Sequence, residues 1–220
     1  TLLYLQTELF KKAAMQKEMD ALNLLYDRQR KQYQIARQNV QIINRKCHEL
    51  KVQIADLRRL QPDEAATQSL DEAEQAARMY DANAATGNEV LDVVLTEKSL
   101  LCEAQRIRLN CVADGTCLAA IEPGDLYALF SNLLDQAIDA AAQQQNDRRM
   151  IDLLVCRRQG FAVINVIGPA LSGSQPDHGR RHSYELKVAR RVVQKYSGAM
   201  ATEPRGELFA VKIVMPLTKG

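Results

Sequence analysis

A heptad repeat in the first part of the 220-residue chain constrains the fold more than any other feature. From Met15 to Leu57, thirteen positions spaced alternately four and three residues apart carry twelve apolar or aromatic side chains, and only Gln29 is polar. A 3.5-residue repeat of this length is typical of a helix that pairs with other helices along one seam. Such a helix is about 64 Å long, whereas a compact chain of this size is about 45 Å across. We therefore expect it to project, with a second copy of the chain covering its seam.

A helical hairpin is predicted for residues 1–85. Pro62 ends the long helix, because proline disfavours the helical conformation of the residue before it. A second apolar repeat between Ala66 and Ala84 then predicts a return helix. Two hairpins of this kind make a four-helix bundle, so the hairpin predicts a homodimer. The segment TGN at 86–88 interrupts the pattern and is the predicted boundary to a second domain over residues 86–220.

The second domain mixes helical and strand periodicities. Apolar spacing predicts helices over 91–101, 124–142 and 184–196, with Gly198 as the C-cap of the last one. Alternating side chains predict strands near 107–111, 151–156, 161–167 and 209–215, and the polar segment 168–183 is expected to be a loop. This order of elements indicates an α+β sandwich with helices on one face of a sheet.

Composition and cysteine spacing exclude several classes of protein. Lys and Arg total 29 against 27 Asp and Glu, which argues against a nucleic-acid partner. The five cysteines follow no metal-binding spacing, so we expect reduced thiols; only Cys111 and Cys117, on either side of a turn, could form a disulfide. No apolar run reaches the roughly 18 residues of a membrane span. Since the chain begins at Thr1 and not at Met, we expect a longer parent protein, attached to a membrane upstream.

Four segments in order resemble one family. Residues 131–140, SNLLDQAIDA, resemble the N-box of the GHKL ATPases, in the form found in peptide-quorum-sensing and citrate-type sensor histidine kinases. Residues 86–92, TGNEVLD, with Lys98 downstream, are similar to the start of that family's ATPase domain. YELK at 184–187 and VVQKYSG at 192–198 are similar to its "GLxxxxxIVxKYxG" helix, and RKCHELK at 45–51 to its phosphoacceptor motif.

The resemblance implies a fold and an activity. It implies a GHKL (Bergerat-type) α/β sandwich that binds ATP and Mg²⁺, in the cytoplasmic portion of a bacterial membrane sensor. ATP would phosphorylate His48, and a response regulator would receive the phosphoryl group. His48 lies one step off the seam, as an exposed phosphoacceptor must, and Glu49 could orient or deprotonate its ring. An ordinary exposed histidine in a charged helix fits the same position, and Val52 replaces the Asn of the motif.

The same resemblance assigns the nucleotide-binding residues. They are Asn132, Gln136, Asn165, Arg180, Arg181 and Lys187, with Gln136 also as the Mg²⁺ ligand. Gln136 stands where the family has Asn, which moves the amide oxygen by one methylene, and Mg²⁺ requires near-ideal geometry at about 2.0–2.1 Å. Ser183 and Glu185 replace the glycines whose backbone amides approach the phosphates in the family. Arg180 and Arg181 could attract phosphate instead, or belong to a solvated basic loop.

Three functions are consistent with these residues. The first is an active histidine kinase core, and the second is a degenerate kinase that persists as a dimeric signalling module with weak or absent ATP binding. The third is a plain coiled-coil scaffold, which the ordered second half of the chain disfavours.

Overall fold

A computed structural model of the chain describes residues 2–60, 86–145, 148–170 and 176–217. The first element is a helix, α1, over Leu2–Leu60. It begins 13 residues before the predicted start at Met15, because no glycine or proline interrupts residues 1–60. At 59 residues it is about 88 Å long. The return helix predicted between Ala66 and Ala84 lies outside the described residues.

The described residues of the second half form three helices and five strands, with a short 3₁₀ turn over Gly115–Leu118. In chain order they are α2 (Glu89–Ala104), β1 (Arg108–Ala113), α3 (Pro123–Ala142), β2 (Met150–Arg158), β3 (Phe161–Pro169), α4 (Pro176–Lys195), β4 (Ala199–Arg205) and β5 (Leu208–Pro216). No helix in the described part of the chain combines the length and apolar character that crossing a membrane requires.

Two elements differ from the sequence prediction. Helix α4 begins at Pro176, inside the segment predicted to be a loop. Proline is favourable in the first turn of a helix. The segment is polar and has no apolar period from which a helix could be predicted. Strand β4 was not predicted, since its sequence AMATEPR contains Pro204 and lacks clear alternation. It lies at the edge of the sheet, where proline is tolerated.

The sheet has the order β1-β2-β3-β5-β4. β1 pairs with β2 in parallel, and the other neighbouring strands are antiparallel. Alternate residues of β2 and β3 are buried on the face that carries the helices, where they form the core with α3. Its central members are Leu129, Phe130, Leu134, Ile138, Ile151, Leu153, Ile164 and Val166. The predicted α+β sandwich with helices on one face is confirmed.

Two turns lie at positions that the sequence analysis singled out, Asn88 before α2 and Gly198 after α4. Asn88, in the predicted domain boundary, caps α2 by accepting hydrogen bonds from the amides of Val90 and Leu91. Gly198 is not the left-handed residue after α4; Ser197 is, with φ 54°. Gly198 is required for space, because a Cβ there would lie 2.6 Å from Cγ of Met215.

The cysteines that the structure describes are reduced. Cys111 is exposed and Cys117 is buried, and neither forms a disulfide, so the bridge considered between them is wrong. Cys102 is buried, and Cys156 is half-buried. The four thiols therefore make no covalent contribution to the fold.

The centre of the heptad seam packs against the same chain. Tyr33, Ala36 and Val40 of α1 belong to the core formed with α2 and α3. The ring centroids of Tyr33 and Tyr127 are 5.5 Å apart. The seam predicted to face a second copy is therefore covered, over this stretch, by the chain's own second half.

Candidate functional site

A cavity of about 270 Å³ opens between the C-terminal half of α3 and the facing ends of β3 and β5. The residues around it are mostly small or apolar: Leu133, Gln136, Ala137, Ala140, Val166, Gly168, Pro169, Ala170, Phe209 and Val211. Gln136 is the one polar side chain among them, and Phe209 supplies the one aromatic ring. The cavity lies near the lower end of the roughly 300–1,000 Å³ usual for ligand sites, and its lining suits a flat apolar ring.

Helix α3 explains why Gln136 reaches this cavity and Asn132 does not line it. The two residues are one turn apart, and both are buried. The side-chain amide of Asn132 donates a 2.5 Å hydrogen bond to the carbonyl oxygen of Ala128. Its NH₂ group is therefore engaged with its own helix. The structure thus brings Gln136, but not Asn132, to the wall of the cavity.

Asn165 lies on the face of the sheet opposite the cavity. Side chains alternate along β3, and Val166 lines the cavity, so the adjacent Asn165 faces away from the helices. Its neighbours across the strands are Leu154 and Lys212, and its Oδ1 is buried without a hydrogen-bond partner. The role of Asn165 in cofactor binding stays a prediction that this orientation does not support. Gly168 and Pro169, three and four residues further along β3, line the cavity.

The segment expected to cover the phosphates is helical. Arg180, Arg181 and Ser183 lie within α4, and their side chains are outside what the structure describes. Glu185 is half-buried and Lys187 exposed, both on the same helix. In a helix interior, each backbone N–H donates to the carbonyl four residues earlier. The amides of residues 183–187 are therefore committed to α4 and cannot form the cradle that the family's glycines provide.

The described residues fit only part of a magnesium nucleotide. The cavity can take an apolar ring, with the amide of Gln136 available to hydrogen-bond its edge. Within the described ranges, no group of three or more His, Cys, Asp or Glu is arranged to hold a metal ion. Mg²⁺ prefers carboxylate oxygens and substrate phosphates, so Gln136 alone is a poor anchor for it. The arrangement favours ring binding and does not supply a site for phosphates with their metal.

His48 is exposed on α1, as the phosphoacceptor prediction requires. Glu49 does not have its carboxylate free to assist it. One oxygen accepts a 2.6 Å hydrogen bond from Nζ of Lys46, and the other lies 3.9 Å from Nε of Arg45. The hydrogen bond from Lys46 lowers the pKa of Glu49, which makes this carboxylate a weaker base. A role for Glu49 in deprotonating His48 remains a prediction.

An ion cluster centred on the buried Lys98 lies where α1 crosses α2 and α3. Nζ of Lys98 is 2.8 Å from Asp135 and 3.2 Å from Glu97, and the Tyr127 hydroxyl donates to Glu97 at 2.9 Å. Burial disfavours the charged form of Lys98, but the two carboxylates outweigh this and raise its pKa. Asp135 precedes Gln136 on α3, so the cluster holds the helix that carries the cavity's polar residue. The sequence singled out Lys98 as part of a motif but gave no sign of its partners.

Comparison with known proteins gives a family match for the second half. Residues 121–216, which run from just before α3 to the end of β5, match a family model described as a GHKL domain. No curated protein matches the chain. The GHKL-type fold predicted for this half from the N-box is therefore supported by an independent sequence comparison.

Among solved structures, the chain is similar to catalytic regions of histidine kinases. The catalytic domain of histidine kinase ThkA is 16% identical, with a TM-score of 0.46 over 60% of this chain and 93% of that one. The Acinetobacter baumannii histidine kinase AdeS is 12% identical, with a TM-score of 0.44 over 72% and 87%. The histidine kinase domain of a blue-light activated kinase from Erythrobacter litoralis is 14% identical, with a TM-score of 0.40 over 82% and 94%.

Proposed function

We propose that this chain is the dimeric signalling core of a sensor of the histidine-kinase type whose ATPase-like domain is catalytically degenerate. The observation that carries the proposal is the small apolar cavity in which Gln136 is the one polar side chain among the described lining residues. Phosphoryl transfer depends almost entirely on positioning the nucleotide and neutralising charge with Mg²⁺. The described residues offer a place for the ring and little for the phosphates, so transfer to His48 would be lost or strongly impaired.

The α4 helix supports the same proposal. Its residues 183–187 hold their backbone amides within the helix, and Glu185 adds a negative charge on the segment that covers the phosphates in the family. A carboxylate near a polyphosphate raises the free energy of binding through repulsion. Signals would then pass through α1 and its contacts with the second domain. A response regulator would be a partner only if His48 carried a phosphoryl group.

One observation favours the alternative of an active kinase. His48 is exposed in a segment, RKCHELK, that resembles a phosphoacceptor motif. In an active kinase, the start of α4 would have to unwind. The amide oxygen of Gln136 would also have to bind Mg²⁺ together with the phosphate oxygens.

Nucleotide binding tests the proposal. Melting temperature is measured with adenosine, with ATP, and with ATP and Mg²⁺ at millimolar concentrations. We expect Mg²⁺ and the triphosphate to add no stabilisation beyond that of adenosine. The triple variant Gln136→Asn, Ser183→Gly, Glu185→Gly should gain a Mg²⁺-dependent increase. Gln159→Gly, in the exposed turn between β2 and β3 at the other end of β3 from the cavity, serves as an unrelated control. A clear Mg²⁺-ATP shift in the unaltered protein would contradict the proposal.

A further inference from the structure

One face of α1 is suited to two partners that cannot bind it together. Tyr33, Ala36 and Val40 belong to the heptad seam, yet they are buried against α2 and α3 of the same chain. A side chain packed against α3 cannot also enter the seam of a helix pair. We infer that α1 between Arg30 and Ile43 exchanges between its own domain and a second copy of the chain, so that pairing there releases the domain. This inference rests on the dimer in the proposed function.

A second copy is the occupant that the seam itself indicates. Met15 and Met19 are 65% and 45% exposed before the docked stretch, and Leu50 is 49% exposed after it. All three belong to the same repeat as the buried Ala36. Pairing along both exposed ends would bring the central stretch of two chains into register, because the repeat is continuous across it.

The docking of α1 on the domain is specific. Gly124, in the first turn of α3, lies against Arg30, and a Cβ there would be 2.8 Å from Nε of that side chain. Arg30 pairs with Glu122 at 3.5 Å, and Arg37 pairs with Glu89 at 2.8 Å. Charge and shape therefore both fix the position of the helix.

The contact between α1 and the second domain is also weak enough to break without unfolding the domain. Both ion pairs are about half exposed, and exposed pairs contribute little to stability. Open clefts of about 930 and 510 Å³ flank α1 on its two sides. Three seam side chains, Tyr33, Ala36 and Val40, are buried in this contact, so pairing along the exposed seam residues Met15, Met19 and Leu50 can compete with docking.

Disulfide trapping distinguishes the two positions of the helix. Met15→Cys and Ala36→Cys are made separately in the full chain; they are three heptads apart and so occupy the same position of the repeat. After mild oxidation, linked peptides from two chains are quantified by mass spectrometry. Glu89→Arg is then added to turn the contact with Arg37 into a repulsion without altering α1. Arg37→Glu in the same chain restores the pair, and Glu207→Arg, which breaks a separate exposed pair with Arg148, is the matched control.

The expected result is efficient linkage at position 15 and weak linkage at position 36. Glu89→Arg should raise linkage at 36 at least about twofold relative to 15, and Arg37→Glu should reverse the rise. Linkage at 15 with no effect of Glu89→Arg at 36 would overturn the exchange while leaving the dimer in place. No linkage at either position would overturn the dimer and the exchange with it.

Discussion

Asp125 anchors the end of α3 to the end of α4, and its removal should destabilise the domain measurably. Its side chain is fully buried in the first turn of α3, and Oδ2 accepts hydrogen bonds from Nζ of Lys195 at 2.6 Å and from the hydroxyl of Tyr196 at 2.7 Å. Oδ1 has no hydrogen-bond partner among the described residues, so the contribution of Asp125 is taken from these two bonds. The carboxylate also raises the pKa of Lys195.

The magnitude follows from the two partners. A hydrogen bond to a charged group contributes about 1.5–3 kcal/mol, but Lys195 is nearly half exposed and can be solvated when its partner is lost. We therefore expect Asp125→Ala to lower the free energy of unfolding by about 2–4 kcal/mol. Tyr196→Phe, which removes one bond, should cost about 1–2 kcal/mol.

Urea unfolding followed by far-UV circular dichroism measures both variants. Asp139→Ala, at a half-buried position on the same helix, is the matched control and should change the free energy of unfolding by less than about 0.5 kcal/mol. An Asp125→Ala protein as stable as the parent would refute the reasoning, because it would mean that water replaces both bonds at no cost.

Two further predictions concern packing and thiol chemistry. Gly198→Ala should lower the free energy of unfolding by about 1–3 kcal/mol, since the new Cβ would overlap Met215. Gly168→Ala should be tolerated, because the nearest atom to its new Cβ is 3.6 Å away. Equal urea midpoints for the two variants would contradict this prediction. Cys111 is exposed and should be alkylated in the folded protein, at a rate that rises with pH as the thiolate fraction grows. Burial raises the pKa of the Cys102 thiol to about 11, so this thiol should react only on unfolding, and mass spectrometry of alkylated peptides would expose any early labelling.

The fold of the second half was largely predictable because its apolar periods are dense. Apolar residues recur at helical spacing through α3, and β2 and β3 alternate residue by residue. The start of α4 could not be predicted, since a polar helix has no apolar period to reveal it. The partner that covers the α1 seam could not be predicted either. A heptad repeat indicates which face of a helix is buried, but not whether a second chain or the same chain buries it.

The site was predicted less well than the fold. Gln136 lies in the cavity wall because its position in the N-box fixes its face of α3, and its role in ligand binding stays a prediction. The position of Asn165 does not support the role predicted for it, because a change of one residue along a strand moves a side chain to the opposite face of the sheet. The Lys98 cluster joins residues from two helices, Glu97 and Lys98 with Asp135, and such a pairing depends on tertiary packing that a single sequence does not display.

Incubation with γ-labelled ATP and Mg²⁺ tests the central claim of catalytic degeneracy most directly. The protein and its His48→Gln variant are treated in parallel, and acid-labile phosphate on the protein is counted. We predict that the unaltered protein and the His48→Gln variant carry the same background label. Acid-labile label on the unaltered protein that disappears in His48→Gln would contradict it and establish an active histidine kinase.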